Sequence, residues 1–177
     1  MNKKKILDGV KVLDFTHVVA GPVTTRSLSD LGADVIKVDK PPLEGHELVR
    51  SAGSVANNIG KRSIAIDLKS ESGIKLARKM AQSVDIIVEN LRPGAMKDLG
   101  LDYETLSSTN RSLIYASISG FGQSGSQSHR RAYGANAHAE AGWLWVQQRA
   151  ADAGAPFAPG VTVADILTAM NTVSGIL

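Results

Sequence analysis

Five short runs rich in Val, Ile and Leu, set between helical or irregular segments, constrain this chain more than any other feature. They cover residues 10–15, 34–39, 63–68, 85–89 and 113–118. Each has the length and β-branched content of a strand, not of a helix. The run Asp85-Ile-Ile-Val-Glu89 has a continuous apolar centre, as a strand covered on both faces requires. Strands that alternate with helices build βαβ units, hence a parallel sheet with right-handed crossovers. The expected fold class is therefore α/β, a parallel sheet with helices on both faces. No internal repeat interrupts this plan.

The connecting segments carry their own signals. Residues 20–31 read as a helix, with Pro22 near the start and Gly32 just past the end. Pro41-Pro42 ends the second strand, and residues 43–60 read as a long irregular excursion. Residues 70–83 read as a helix that places Ile74, Ala77, Met80 and Ala81 on one face. Short helices follow, one ending at Gly100 and one over 103–108, then a Gly/Ser loop over 120–128 and a single helix over 135–149. After a Gly/Pro loop at 153–160, the last helix is expected to begin at Asp165. That helix shows no Gly or Asn cap, no basic last turn and no polar tail, so the chain is expected to be part of a longer one.

Ligands of open parallel sheets bind at the carboxyl ends of the strands. Here those ends are residues 17–20, 37–40, 67–69, 90–94 and 119–122. No G-x-G-x-x-G follows the first strand, which argues against a dinucleotide. No Walker-type phosphate loop occurs, and Ser119-Gly-Phe-Gly-Gln-Ser-Gly125 lacks the G-x-S-x-G spacing of a nucleophile elbow. The chain has no cysteine, so thiolate catalysis, disulfides and Cys-ligated metals are excluded. This fits a reducing cytoplasm. The histidines, His17, His46, His129 and His138, form no ligand pair, and no metal is expected. His138 is expected in the core or on a cleft wall. A net charge of +3 does not point to nucleic acid. No run approaches the ~18 apolar residues of a membrane span, and the basic opening lacks the apolar stretch of a secretory signal.

Basic residues recur near the strand ends: Lys40, Lys61-Arg62, Lys69, Arg92, Lys97 and Arg130-Arg131. Singly, each reads as a solvated surface charge; gathered at one sheet edge, they could hold a polyphosphate. Asp165 follows Val161-Thr-Val-Ala164 and opens an apolar helix. Local sequence favours an N-cap. A second reading is compatible with it: the helix dipole stabilises the anion, which is the state a nucleophilic carboxylate needs.

Several ordered segments resemble the class III CoA-transferases, the group of formyl-CoA transferase, carnitine CoA-transferase and α-methylacyl-CoA racemase. They are Leu7-Asp-Gly-Val-Lys-Val-Leu-Asp-Phe-Thr-His-Val-Val-Ala-Gly-Pro22, Leu31-Gly-Ala-Asp-Val-Ile-Lys-Val38, Lys61-Arg-Ser-Ile-Ala-Ile-Asp-Leu-Lys69, Val88-Glu-Asn-Leu-Arg-Pro-Gly94 and Ser117-Ile-Ser-Gly-Phe-Gly122. The resemblance runs from residue 7 to the end and identifies the family, not the substrate. It implies a Rossmann-like large domain, with residues 1–177 as its N-terminal CoA-binding and catalytic portion and a second small domain lying beyond them. It implies Asp165 as the nucleophile that carries CoA from an acyl-CoA to a carboxylic acid through an aspartyl-CoA thioester, without metal. It implies CoA contacts at Val18, Val19 and Ala20; at Lys40; at Ile66, Asp67, Leu68 and Lys69; at Asn90, Leu91 and Arg92; and at Arg131, Ala132, Tyr133 and Gly134. Where some relatives place Arg, this chain has Asp98, and Lys97 is the substitute. Tyr133 holds the position of the racemase branch's His, which favours transfer over racemisation. A racemase and a non-catalytic CoA-binding subunit remain the alternatives. The implied partners are acyl-CoA, a small carboxylic acid, and either a second copy in an interlocked homodimer or a chain supplying the second half.

Overall fold

The computed structural model describes residues 4–42 and 51–177. The first eight residues of the excursion expected at 43–60, and His46 with them, lie outside the described residues. The remainder of that excursion contains a short helix.

Five parallel strands form one sheet in the order β3-β2-β1-β4-β5. They are β1 (Lys11–Phe15), β2 (Asp34–Asp39), β3 (Arg62–Ala65), β4 (Ile86–Glu89) and β5 (Ile114–Ser117). Helix α1 (Ala20–Asp30) links β1 to β2, and α2 (Ala52–Ala56) precedes β3. Helix α3 (Glu71–Ala81) links β3 to β4; α4 (Ala95–Asp98) and α5 (Tyr103–Ser107) precede β5. Three helices follow: α6 (Gly134–Glu140), α7 (Trp143–Ala150) and α8 (Val163–Ile176). Strand order reverses beside β1, so β1 and β4 flank the switch point where open α/β sheets bind ligands.

The alternation of β1 explains the two-sided core. Leu13 and Phe15 face one side, where they pack with Val38, Ile87, Ala77 and Ala81 of α3, Met96 of α4 and Leu106 of α5. Val12 faces the other, with Val35, Ile86, Val88 and Leu28 of α1, and with Val173 and Ile176 of α8 packed against them. The helices therefore cover both faces, as expected. Ser70 caps α3 by accepting the Gly73 N–H, and Ala77 and Ala81 are buried as the apolar spacing requires.

Two expectations need correction. The helix expected over 135–149 is two helices. Gly142 has φ +73°, a left-handed conformation that glycine adopts without steric cost, and it breaks the run between α6 and α7. The last helix begins before Asp165. Thr162 is its N-cap position, and Val163, Ala164 and Asp165 form its first turn. Asp165 is thus not the cap, although it still lies within reach of the dipole.

On the α1 face, β1 ends in a buried charge network. Asp14 is fully buried. Its Oδ1 accepts the Thr16 N–H at 2.8 Å and the Thr16 hydroxyl at 2.6 Å. Its Oδ2 accepts the Thr25 hydroxyl at 2.7 Å and Lys61 Nζ at 3.0 Å. Lys61 also donates to the carbonyl of Pro22 and to Asn58 Oδ1. Lys37 Nζ lies 3.9 Å from Asp14 Oδ1 and donates to the Thr16 carbonyl at 2.5 Å. Burial alone would push the Asp14 carboxyl up, but Lys37, Lys61 and the two hydroxyls outweigh it and hold it below its ordinary value. Burial pushes Lys61 down, against the pull of Asp14.

Lys61 is therefore committed to the fold and is not free for a polyphosphate. Arg62 is likewise engaged, in a two-pronged pair with Asp34. Removing the Asp14 charge would leave a buried lysine unpaired. Asp14→Asn is expected to lower the unfolding free energy by ~3–5 kcal/mol, as measured by urea denaturation at neutral pH. Because the folded Asp14 carboxyl titrates below its unfolded value, its share of stability is present above the unfolded value. That share is lost as pH falls through the folded one.

Candidate active site

The carboxyl edge of β1, β4 and β5 opens into a cleft of about 430 Å³. Four segments wall it: His17–Ala20 after β1, Asn90–Pro93 after β4, Ile118–Gly120 after β5, and the stretch from His129 into α6. The first turn of α8 closes it with Ala164 and Asp165.

The turn after β1 is clamped from β4. The His17 N–H donates to Asn90 Oδ1 at 2.7 Å, and Asn90 Nδ2 donates to the His17 carbonyl at 2.8 Å. Next to this clamp, Val18 sits at φ +69° with its side chain exposed. A β-branched residue in that region is strained, by about 1–3 kcal/mol, and needs surrounding structure to hold it. The Asn90 pair supplies that constraint. Burial, with the nearby Lys37, pushes the His17 imidazole down and favours its neutral form.

Asp165 enters the cleft from α8, half-buried, against the start of α6. Gly134 makes room for it. A Cβ at Gly134 would lie 2.6 Å from Asp165 Oδ2, so the carboxylate would have to move from its present place. Positive charge reaches the same cleft from Arg92, Arg130 and Arg131. Arg92 is held by Asp98 at 3.2 Å, an exposed pair. Arg130 pairs with Glu140 and lies 4.5 Å over the Phe121 ring.

The residues expected to contact CoA divide into three groups. Val18, Val19, Ala20, Asn90, Leu91, Arg92, Arg131, Ala132, Tyr133 and Gly134 share the cleft with Asp165. Lys40 lines a neighbouring depression of about 460 Å³, which opens beside the same His17–Val19 ridge and is floored by Lys37 and Asp39. Ile66, Asp67, Leu68, Lys69 and Lys97 line neither. Ile66 is buried in the core, where its side chain cannot meet a ligand. Asp67 Oδ1 accepts the Lys69 N–H in the turn into α3. Lys97 is exposed on α4. Among the described residues, no group of three acidic or histidine side chains could hold a metal ion.

Sequence reasoning placed His138 in the core or on a cleft wall, and it is buried, but it missed the Asn90 clamp and the partner of His138. Asn90 was named only as a ligand contact, and its amide serves the backbone of a segment 73 residues away. His138 does not line the cleft. It lies behind the wall, buried, and accepts the Ala164 N–H. An isolated histidine in an alanine-rich helix gives no local signal of that partner.

The geometry places one carboxylate, a cationic rim and clamped backbone turns at the switch point of a parallel sheet, and comparison with known proteins decides what it belongs to. The pattern described as CoA-transferase family III matches residues 7–177. This chain belongs to CoA-transferase family III. It is 38% identical over 188 residues to human succinyl-CoA:glutarate CoA-transferase, covering 100% of this chain and 42% of that protein. It is 36% identical to formyl-CoA:oxalate CoA-transferase of Streptomyces coelicolor, covering 98% of this chain and 43% of that one. Among solved structures, a CAIB/BAIF family protein from Brucella suis superposes with a TM-score of 0.83 at 36% identity, over 98% of this chain and 48% of that chain. Rv3272 from Mycobacterium tuberculosis superposes with a TM-score of 0.86 at 33% identity, over 99% of this chain and 51% of that chain. The chain spans about half the length, or somewhat less, of these family III relatives.

The clamp carries a prediction of its own. Asn90→Ala removes both bonds to His17 and frees the strained Val18 turn. Amide exchange at His17 and Val18 should rise, and stability should fall by about 1–3 kcal/mol. Hydrogen exchange read by mass spectrometry checks the first, and urea denaturation the second.

Proposed function

We propose that this chain is the CoA-binding and nucleophile-bearing part of an acyl-CoA:carboxylate CoA-transferase, with Asp165 as the nucleophile. The observation that carries this reading is the position of Asp165. It is a half-buried carboxylate in the first turn of α8, facing a cleft built from the segments that the family resemblance assigns to CoA.

The reaction follows from that carboxylate. One Asp165 oxygen attacks the donor thioester carbonyl. The C–S bond breaks, CoA leaves as thiolate, and a mixed anhydride joins Asp165 to the donor acyl group. The thiolate then attacks the Asp165 carbonyl carbon. An aspartyl-CoA thioester forms, and the donor acid departs carrying one oxygen that began on Asp165. The acceptor carboxylate attacks the aspartyl thioester and releases thiolate. The thiolate attacks the acceptor carbonyl and restores Asp165, which now holds one acceptor oxygen. Each intermediate keeps an activated acyl group, so the exchange needs no external energy and no net proton. An anhydride hydrolyses, so water must be kept away while it exists.

The chain's residues divide the work by position. Val18, Val19 and Ala20 offer the ridge on which the thioester arm lies, and Asn90 fixes that ridge. Arg131 and Arg92 supply charge at the rim, and Lys40 can meet the adenosine end from the adjoining depression. Lys97 and residues 66–69 would touch CoA only beyond the cleft described. The named relatives make a short dicarboxylate the first acceptor to test.

The remainder of the acceptor site is proposed to come from further chain or from a partner subunit in a dimer. The exposed apolar side chains of α7 and α8, Trp145, Val146 and Leu167, give such a contact a surface. A racemase is disfavoured because Tyr133, where that branch has His, is a phenol with 69% of its surface exposed.

Asp165→Asn in the complete protein is expected to lower kcat for CoA exchange by at least ~10³-fold while leaving acyl-CoA affinity within a few-fold. Transfer at the wild-type rate in that variant would overturn the assignment.

A further inference from the structure

Helix α8 begins without a side-chain cap of its own. The Thr162 side chain accepts no N–H of the first turn, so the early donors of α8 need partners from elsewhere. One comes from α6. His138 Nε2 accepts the Ala164 N–H at 2.9 Å. The imidazole is 4% exposed and lies against the Trp143 ring, with centroids 6.1 Å apart. An accepting Nε2 carries no proton, so the neutral ring holds its proton on Nδ1. Nδ1 is buried and has no partner among the described residues. A buried unpaired donor is costly. The position thus keeps a histidine at a cost that a leucine would not incur, and the one hydrogen bond the ring makes among the described residues is the bond to α8.

Gly134 lies one helical turn before His138 on α6, so both meet the start of α8 from the same side. Gly134 leaves the space that Asp165 Oδ2 occupies, and His138 holds the N–H of the residue immediately before Asp165. We infer that α6 is the seat of Asp165: His138 is a positioning residue that caps α8 through Ala164 and so fixes the carboxylate over Gly134. The catalytic half of this inference rests on the proposed role of Asp165; the cap does not.

The test compares His138→Leu with His138→Gln in the complete protein. Leucine keeps bulk and removes the acceptor, whereas the glutamine amide oxygen can accept the same N–H. His138→Leu should raise amide exchange over residues 163–165 and lower kcat, each about tenfold, as loss of a helix cap does. KM for acyl-CoA should stay within about twofold, because the loss falls on the reacting group and not on ground-state binding. His138→Gln should recover both exchange and kcat. Gly134→Ala should lower kcat without raising exchange at 163–165.

Should the leucine variant not fold, the nitrogen-15 spectrum of the wild-type ring decides. A protonated Nδ1 with a bare Nε2 supports the cap, and the opposite tautomer overturns it. Wild-type exchange and turnover in His138→Leu, or no recovery in His138→Gln, would also overturn it. If His138→Leu raises exchange while Asp165→Asn still transfers CoA, the cap stands and the positioning role falls with the proposed reaction. If exchange is unchanged while Asp165→Asn is inactive, the reaction stands and the seat does not.

Discussion

The buried Asp14 carboxylate is the constraint on which the rest of this structure depends. It stands at the carboxyl end of the central strand and accepts four hydrogen bonds from three neighbours, by three kinds of donor. The Thr16 amide and hydroxyl fix the turn that leaves β1. The Thr25 hydroxyl fixes α1. Lys61, which also holds the Pro22 carbonyl and Asn58, ties in the segment that enters β3. A carboxylate in that position would be untenable alone. With Lys37 and Lys61 beside it, the network locks the ends of three strands and the start of one helix into one arrangement. The cleft is built directly on that arrangement, since residues 17–20 begin where the network stops.

A second layer of constraint comes from β4. Asn90 reaches across the sheet edge and grips His17 through both its N–H and its carbonyl. That grip lets Val18 keep a left-handed backbone at the rim. The third layer is the α6–α8 contact, which brings Asp165 to the same edge from the far end of the chain. The wall of the cleft is therefore set by groups that are mostly hidden behind it, while the residues facing the cleft stay open to it.

The sheet was legible because its signals are local. β2 matches its expected span of 34–39, and the other four strands differ from expectation only at their ends. β3 stops at Ala65, sooner than its apolar run suggests: the Ile66 N–H still donates to the Asp39 carbonyl, but at Asp67 the chain begins the turn into α3. The helix over 135–149 misled because the alanine-rich run before Gly142 and the apolar run 143–146 after it both read as helix and hide a left-handed break. The candidate site was legible where a few local segments supply its wall: Asp165, the 18–20 turn and the 131–134 segment meet in one cleft. It was not legible where long-range pairing decides. Lys61 looked like a free cation and is held by a carboxylate 47 residues away. Asp165 looked like its own helix's cap, and the partner of that first turn is a histidine 26 residues from Ala164.

The central claim is that Asp165 forms acyl bonds during transfer, and oxygen tracing tests it most directly. The complete protein is allowed a single turnover with unlabelled acyl-CoA and an acceptor acid labelled with oxygen-18 in its carboxylate. The peptide containing Asp165 is then weighed and fragmented. The account predicts that one labelled oxygen resides on the Asp165 side chain, and that the label is absent when acyl-CoA is omitted. Acceptor-CoA formed with no label on Asp165, or with the label on another residue, would contradict it.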